Sequence, residues 1–272
     1  MRSRASLLLI PGLVVLVIGL IVPAVTMLFF PRRSGPAEVF AAFGSFFTDP
    51  FMLAILWRTV WIGLVVTGLC VLIGFPIAYM LARSNSRWVG LLLALAIFPL
   101  LLSNVVRTFG WLVVLGSQGV LGRLLMALRL VEEPPQLLAS EFAIVLGLIQ
   151  LFLPLAIISS YSAIAQVDAT LDEAARSLGA GPIRTFWSVV VPLSLPGIIV
   201  AATLVFAGSV TAYTTPFLLG GSSDKMLSTQ LFYYTDTNVD WTMAAAVALV
   251  MTILVFGVAS LSSVAGRLGR TQ

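Results

Sequence analysis

The chain has 272 residues, 60% of them hydrophobic and 10% charged, with a net charge of +4 and a mean hydropathy of +1.08. Soluble domains carry roughly a quarter of charged residues, so this composition excludes a water-soluble globular protein. The 15 basic residues form no stripe, which excludes a nucleic-acid face; with no histidine and only Cys70, inside an apolar run, there is no disulfide framework and no zinc or haem site.

Six continuous apolar runs lie at about 7–30, 59–82, 88–106, 142–164, 197–219 and 242–265. Each has close to, or more than, the ~20 residues that a helix rising ~1.5 Å per residue needs to cross the hydrocarbon core. Barrel strands would instead alternate in short segments. The predicted fold class is all-α integral membrane, with six transmembrane helices in a single domain over 1–272. The first run is longer than a signal-peptide core and reads as a retained span. Six crossings place both termini on one side. That side would carry Arg2, Arg4, Arg83, Arg87, Arg176, Arg184, Arg267 and Arg270, against Arg32, Arg33, Arg58, Arg107, Arg123, Arg129 and Lys225 on the other. Because Arg83 and Arg87 fall in a very short turn, the termini and loop 165–192 are assigned to the cytoplasm.

In chain order, residues 31–57 form a mixed outer segment, and Trp57 and Trp61 suit an aromatic belt. The second run contains Gly63, Gly68, Gly74 and Pro76, which predict close helix packing and a kink near its inner end. The third run ends in a polar group at the outer membrane depth, Asn104, Arg107 and Thr108. Arg107 there snorkels to the headgroups, pairs within the protein or meets the solute. Residues 120–130 read as a short interfacial helix before a break at Pro134-Pro135.

The fourth run brings Gln150 and Pro154 to mid-depth, and Gln150 either bonds a neighbouring helix or lines a cavity. The fifth ends with Ser209, Thr211, Tyr213, Thr214 and Thr215. Ser209 and Tyr213, four apart, share a side of a continuous helix and either line a path or bond another helix. Asn104, Arg107, Gln150, Ser209 and Tyr213 are the candidate pathway residues. The loop from Asp224 to Trp241 gathers aromatics and acids, as a membrane belt or a surface for a partner or cation; the last run is plain and alanine-rich.

The longest polar stretch between two apolar runs is Thr170 to Pro192. Thr170 and Glu173 have the spacing of a capping box and predict a helix start. Gly179 is placed to end that helix in the left-handed conformation, Gly181-Pro182 to open a second helix, and Pro192 to stop it. The predicted unit is two short helices joined by a glycine elbow. No Walker A loop, histidine base, GxSxG nucleophile or mid-membrane carboxylate is present, so neither an enzyme nor an ion-coupled carrier is indicated, and the energy source must lie in another protein.

Glu173-Ala174-Ala175, Gly179 and Val189-x-Val191-Pro192 resemble the EAA loop of binding-protein-dependent ABC importer permeases, E-A-A-x3-G-x9-I-x-L-P, with valine at the two aliphatic positions. The segments around Ser103–Leu125 and Thr211–Gly221 are similar to the spermidine/putrescine branch, which also contains ferric iron, aminophosphonate and opine-type importers. The resemblance implies a type I importer of MetI-like fold in the bacterial inner membrane: two permeases forming a heterodimer, an ABC ATPase dimer and a periplasmic solute-binding protein. It implies no cofactor in this chain, ATP and magnesium being bound by the ATPase. The favoured solute is a polyamine; an amino-acid-like or other solute of the branch, or an ATP-independent channel or carrier, is the alternative. By the same resemblance Leu171, Asp172, Glu173, Ala174, Ala175, Leu178, Gly179 and Pro192 belong to the coupling loop. Alanines 174 and 175 permit close approach, leucines 171 and 178 fill hollows of the ATPase, and Glu173 either caps its helix or pairs with a base of the ATPase.

Overall fold

The computed structural model describes residues 35–133 and 135–268, with side chains to 264, and scattered positions from 11 to 26. The described positions of the first predicted span are helical. Its remaining residues, and Arg2, Arg4, Arg32, Arg33, Pro134 and Arg270, lie outside the described residues.

The helices are α1 (Pro36–Phe46), α2 (Pro50–Ala82), α3 (Val89–Leu101), α4 (Asn104–Leu115), α5 (Val120–Ala127), α6 (Glu141–Ala165), α7 (Thr170–Ser177), α8 (Pro182–Thr211), α9 (Thr214–Leu219), α10 (Leu227–Phe232) and α11 (Trp241–Leu268). No strand occurs among the described residues. Five stretches are long and apolar enough to cross a membrane: α2, Asn104–Ala127, α6, α8 and α11, with α3 a shorter apolar helix.

Two compact units are present. The first comprises Met1–Leu53 and Gln230–Thr252. In it the Asp49 carboxylate accepts the Phe51 amide at 2.9 Å and opens α2, while Asp240 does the same for Thr242 and Met243 at the start of α11. Phe46, Met52, Ala244 and Val247 are among its buried side chains.

The second unit comprises Ala54–Thr229 and Ile253–Gln272. Its core joins Ile62, Val66 and Cys70 of α2 to Ile144, Leu148 and Ala156 of α6 and Val205 of α8. Helices α6 and α8 approach closely: a Cβ on Gly197 would lie 2.0 Å from that of Ala163. Arg58 of α2 donates to Glu141 at the head of α6 at 2.7 Å and to the Ser223 carbonyl at 2.6 Å, a tie between segments far apart in sequence.

Three predicted spans differ from the structure. The second begins at Pro50 and not at 59, because Asp49-Pro50 supplies an acceptor and a proline suited to a first turn. The third, predicted as one run over 88–106, breaks at Leu102-Ser103 and resumes at Asn104. Leu102 is extended there, so the last carbonyls of α3 need other donors.

The fifth, predicted over 197–219, starts instead at Pro182 and ends at Thr211, where Ala212 turns extended. Pro192 therefore does not stop the second helix of the elbow. A π-helical turn over Phe186–Val190 immediately precedes it, and this wider turn accommodates a residue that has no amide hydrogen and a bulky ring.

Candidate functional site

The elbow is built by two different chain reversals around α7. At its start the Asp168 carboxylate accepts the Thr170 amide at 3.0 Å, an Asx-type turn that launches the helix. That hydrogen bond holds the Asp168 carboxyl below the usual carboxylate range. The predicted Thr170–Glu173 capping box does not form: Thr170 is already helical, the Glu173 amide donates to the Ala169 carbonyl at 3.3 Å, and among the described residues the Glu173 carboxylate has no hydrogen-bond or ion-pair partner. Asp168, two residues upstream, takes the role because its short side chain can fold onto an amide two positions ahead.

At the other end Gly179 takes φ 86°. Its amide donates to the Arg176 carbonyl at 2.9 Å, and that of Ala180 to the Ala175 carbonyl at 3.0 Å, the bond pair of a Schellman ending. Gly181 and Pro182 then open α8 as the spacing predicts, with Pro182 in its first turn.

The orientation of α7 is the reverse of that of an ordinary surface helix. Leu171, Ala174, Ala175 and Leu178 fall at i, i+3, i+4 and i+7, which is one face. Leu171, Ala174 and Leu178 are exposed, Leu178 by 89%, and Ala175 is half-buried. The carboxylate of Asp172 points the other way and is 5% exposed. It accepts from Arg83 Nε at 2.9 Å, and Arg83 Nη1 also reaches the Val167 carbonyl at 3.0 Å. Ile183 and Trp187 at the start of α8 add exposed apolar surface, and Pro192 is exposed on the same helix.

Below the elbow, Phe75, Ala78, Ile164 and Val190 form a small core. Beside it a cavity of about 400 Å³ is lined by residues including Ala163, Gln166, Pro192, Ser194 and Gly197. The Ser194 hydroxyl is buried and has no partner among the described residues.

The predicted pathway residues each meet a different partner. Arg107 folds back so that Nη1 donates to the Pro99 carbonyl at 2.8 Å, satisfying the end of α3 at the break. Asn104, half-buried, begins α4, its carbonyl accepting from the Thr108 hydroxyl. Gln150 accepts the indole N–H of Trp111 at 2.7 Å and so joins α6 to α4. Ser209 is fully buried and donates to the Val205 carbonyl of its own helix at 2.7 Å. Tyr213 lies beyond the end of α8 and stacks on Phe217, ring centroids 5.0 Å apart. The shared face expected for Ser209 and Tyr213 required a continuous helix, and the extended Ala212 removes it.

Sequence reasoning placed Asp168 and Phe186 within loop 165–192 but gave them no role in the elbow, and it missed Arg83. Asp168 was legible from its short acidic side chain just ahead of a helix start. The partnership of Arg83 with a residue 89 positions away had no local signal.

Residues 74–268 match the family described as binding-protein-dependent transport system inner membrane component. The chain is 32% identical over 206 residues to the spermidine/putrescine transport system permease protein PotB of Haemophilus influenzae, covering 76% of this chain and 72% of that one. Against the protein of the same name from Escherichia coli K12 it is 30% identical, over 76% and 75%. It is 33% identical over 197 residues to the molybdenum transport system permease protein ModB of Mycobacterium tuberculosis, covering 71% and 73%.

Two solved structures share the fold. One is a bacterial ABC transporter involved in the import of the acidic polysaccharide alginate, with a TM-score of 0.72 at 18% identity over 97% of this chain and 95% of that one. The other is an inward-facing form of the MetNI methionine ABC transporter, with a TM-score of 0.63 at 17% identity over 80% and 96%. With a family match across most of its length and relatives that are transport components and not enzymes, the chain belongs to the binding-protein-dependent transport system inner membrane components, as a multi-pass permease of an ABC importer.

Proposed function

We propose that this permease works with a second, unlike permease to carry a polyamine of the spermidine/putrescine class, delivered by a periplasmic binding protein, and that α7 is the coupling helix of a dimeric ATPase. The observation that carries the reading is the inverted face of α7. A two-turn helix that buries its carboxylate and exposes Leu171 and Leu178 gains free energy only when another protein covers those leucines. ATP and magnesium are held by that partner. Its closure moves the paired elbows together and opens the membrane cavity towards the binding protein.

In this reading the termini and the elbow face the cytoplasm. Arg83, Arg87, Arg176 and Arg184 lie on that side with three of the 11 carboxylates, those of Asp168, Asp172 and Glu173. The other eight carboxylates, including Glu132, Glu133, Asp224 and Asp236, fall on the outer side with Arg32, Arg33, Arg58, Arg107, Arg123, Arg129 and Lys225, so that side is close to neutral and the polyamine assignment rests on the spermidine/putrescine relatives. The relative named for molybdenum transport supplies the second reading, an oxyanion.

Proteoliposomes holding the two permeases and the ATPase test the proposal. Uptake of radiolabelled spermidine is expected only with internal ATP and external binding protein. Uptake of molybdate in its place would transfer the solute assignment to the oxyanion, and uptake by this chain alone would make it an ATP-independent channel or carrier.

A further inference from the structure

Phe75, Tyr79 and Arg83 are spaced four apart at the end of α2, so they form one stripe along it. Arg83 continues the last turn, its amide donating to the Tyr79 carbonyl at 3.0 Å. Both arms of the elbow converge on this stripe. From α7, Asp172 accepts from Arg83 Nε at 2.9 Å. From the π-helical turn of α8, the Phe186 ring lies 5.5 Å from Phe75 and 5.1 Å from Tyr79, centroid to centroid.

The two contacts differ in kind. Tilted and edge-on ring contacts such as these shift at low cost, whereas a largely buried ion pair resists separation because pulling it apart leaves two charges without partners in a poorly solvated place. The bridge also has spare capacity. Arg83 Nη2 and Asp172 Oδ1 are both buried, and neither has a partner among the described residues. A guanidinium and a carboxylate can make two parallel hydrogen bonds, so this pair can exchange one donor for another, or gain the second bond, without letting go.

We infer that the Phe75–Tyr79–Arg83 stripe is the receiving face of the elbow, and that Arg83 is a positioning residue that makes α2 follow the movement of α7. When α7 shifts, the bridge changes register between Nε···Oδ2 and Nη2···Oδ1 while the Phe186 ring slips along Phe75 and Tyr79. The motion then enters the membrane through α2, a helix 33 residues long, as well as through α8, to which the elbow is covalently joined. The inference rests on the coupling reading of α7 and adds the helix that carries the movement and the residue that grips it.

The test uses the complete complex of both permeases, ATPase and binding protein in proteoliposomes, and compares wild type, Arg83→Gln, Arg83→Lys and the exchanged pair Arg83→Asp with Asp172→Arg. Three quantities are read: retention of the ATPase on the purified permease, the factor by which binding protein loaded with spermidine stimulates ATP hydrolysis, and radiolabelled spermidine taken up per ATP. For Arg83→Gln the ATPase is expected to stay bound, while stimulation and uptake per ATP fall by about tenfold, the range of an ordinary coupling between sites. The exchanged pair is expected to regain at least about a third of the lost coupling, as a direct pairwise interaction requires.

Should Arg83→Gln not assemble, Arg83→Lys reads the same quantities, because it keeps the charge and loses the planar fork; a fall in uptake per ATP with the ATPase retained supports the inference. Coupling at the wild-type level in Arg83→Gln, or in Arg83→Lys where that variant is the one read, overturns it. So does loss of ATPase retention in proportion to the loss of uptake, since the pair would then only shape the docking surface. The wild-type arm judges the underlying reading separately: no ATPase retention there removes the coupling role of α7, and hydrolysis stimulated without spermidine uptake removes only the solute.

Discussion

Arg83 Nε lies 2.9 Å from Asp172 Oδ2, joining the end of α2 to the inner face of α7 across 89 residues of sequence. The neighbouring Glu173 is exposed and unpaired among the described residues, although it and not Asp172 carries the motif. Adjacent carboxylates on one helix thus differ in surroundings, one holding the helix to its own protein and one facing outward. Asp172→Ala is expected to destabilise the solubilised protein by about 1–3 kcal/mol, the range for a lost hydrogen bond between charged groups, because Arg83 keeps part of its side chain exposed. Glu173→Ala should shift it by less than about 0.5 kcal/mol. Thermal unfolding in detergent, followed by the exposure of Cys70 to a thiol dye, distinguishes the two.

Leu178 makes the sharpest separation between stability and assembly. At 89% exposed it contributes nothing to the isolated fold that Leu178→Glu would remove. A leucine seated in a partner's hollow is worth about 2 kcal/mol, so the same change should weaken ATPase binding by roughly 30-fold. Co-purification of the ATPase at matched expression checks both halves.

Gly179 has room for a side chain, with nothing within 4 Å of an added Cβ, but its φ of 86° is unfavourable for one. Gly179→Ala is expected to cost about 1 kcal/mol through backbone strain, and Gly179→Asn less, since asparagine tolerates the left-handed region. Gly179→Pro should abolish ATPase association while the permease still inserts, because proline cannot adopt a positive φ or donate its amide to Arg176. Retained ATPase stimulation in the proline variant would contradict the elbow as drawn.

Asp168 gives the start of α7 a pH dependence of defined sign. Its folded carboxyl titrates below the ordinary value because the Thr170 amide favours the ionised form. The contribution is therefore present above the unfolded carboxylate range, about pH 4, and is lost as the pH falls through the lower folded value. Hydrogen exchange of the Thr170 amide should be protected at neutral pH and accelerate in acid. Asp168→Ala should remove the protection at every pH, and Asp168→Asn should keep it with no acid transition.

Ser209 is expected to be silent in transport. Its hydroxyl is buried and spent on the Val205 carbonyl, so Ser209→Ala should change uptake by less than about twofold and stability by less than about 1 kcal/mol. Gly197→Leu, by contrast, should prevent stable folding, because even a Cβ there would overlap Ala163. Expression and size-exclusion profiles separate these outcomes.

The membrane class, the helical form of the spans, the short α5 and the Gly179 ending all followed from sequence, because each rests on local chemistry: apolar length, turn residues and backbone freedom. The elbow motif was legible for the same reason, since its residues lie within one stretch of chain. What needed tertiary structure were relations between distant segments. Arg83 looked like an orientation signal until Asp172 was found beside it. Sequence left Gln150 and Arg107 between a bond within the protein and a place on the path, and the fold supplies Trp111 and the Pro99 carbonyl as their partners. Ser209 and Tyr213 parted company because hydropathy does not register a helix break in which every residue remains apolar or hydroxylic, and Pro192 stayed within a helix because a π-helical turn absorbed it. Sequence determined that the chain is built of apolar helices and which polar stretch stands apart between them. Only the fold decided which polar groups are already spent, since a buried donor or acceptor takes whatever partner the packing brings within hydrogen-bonding reach.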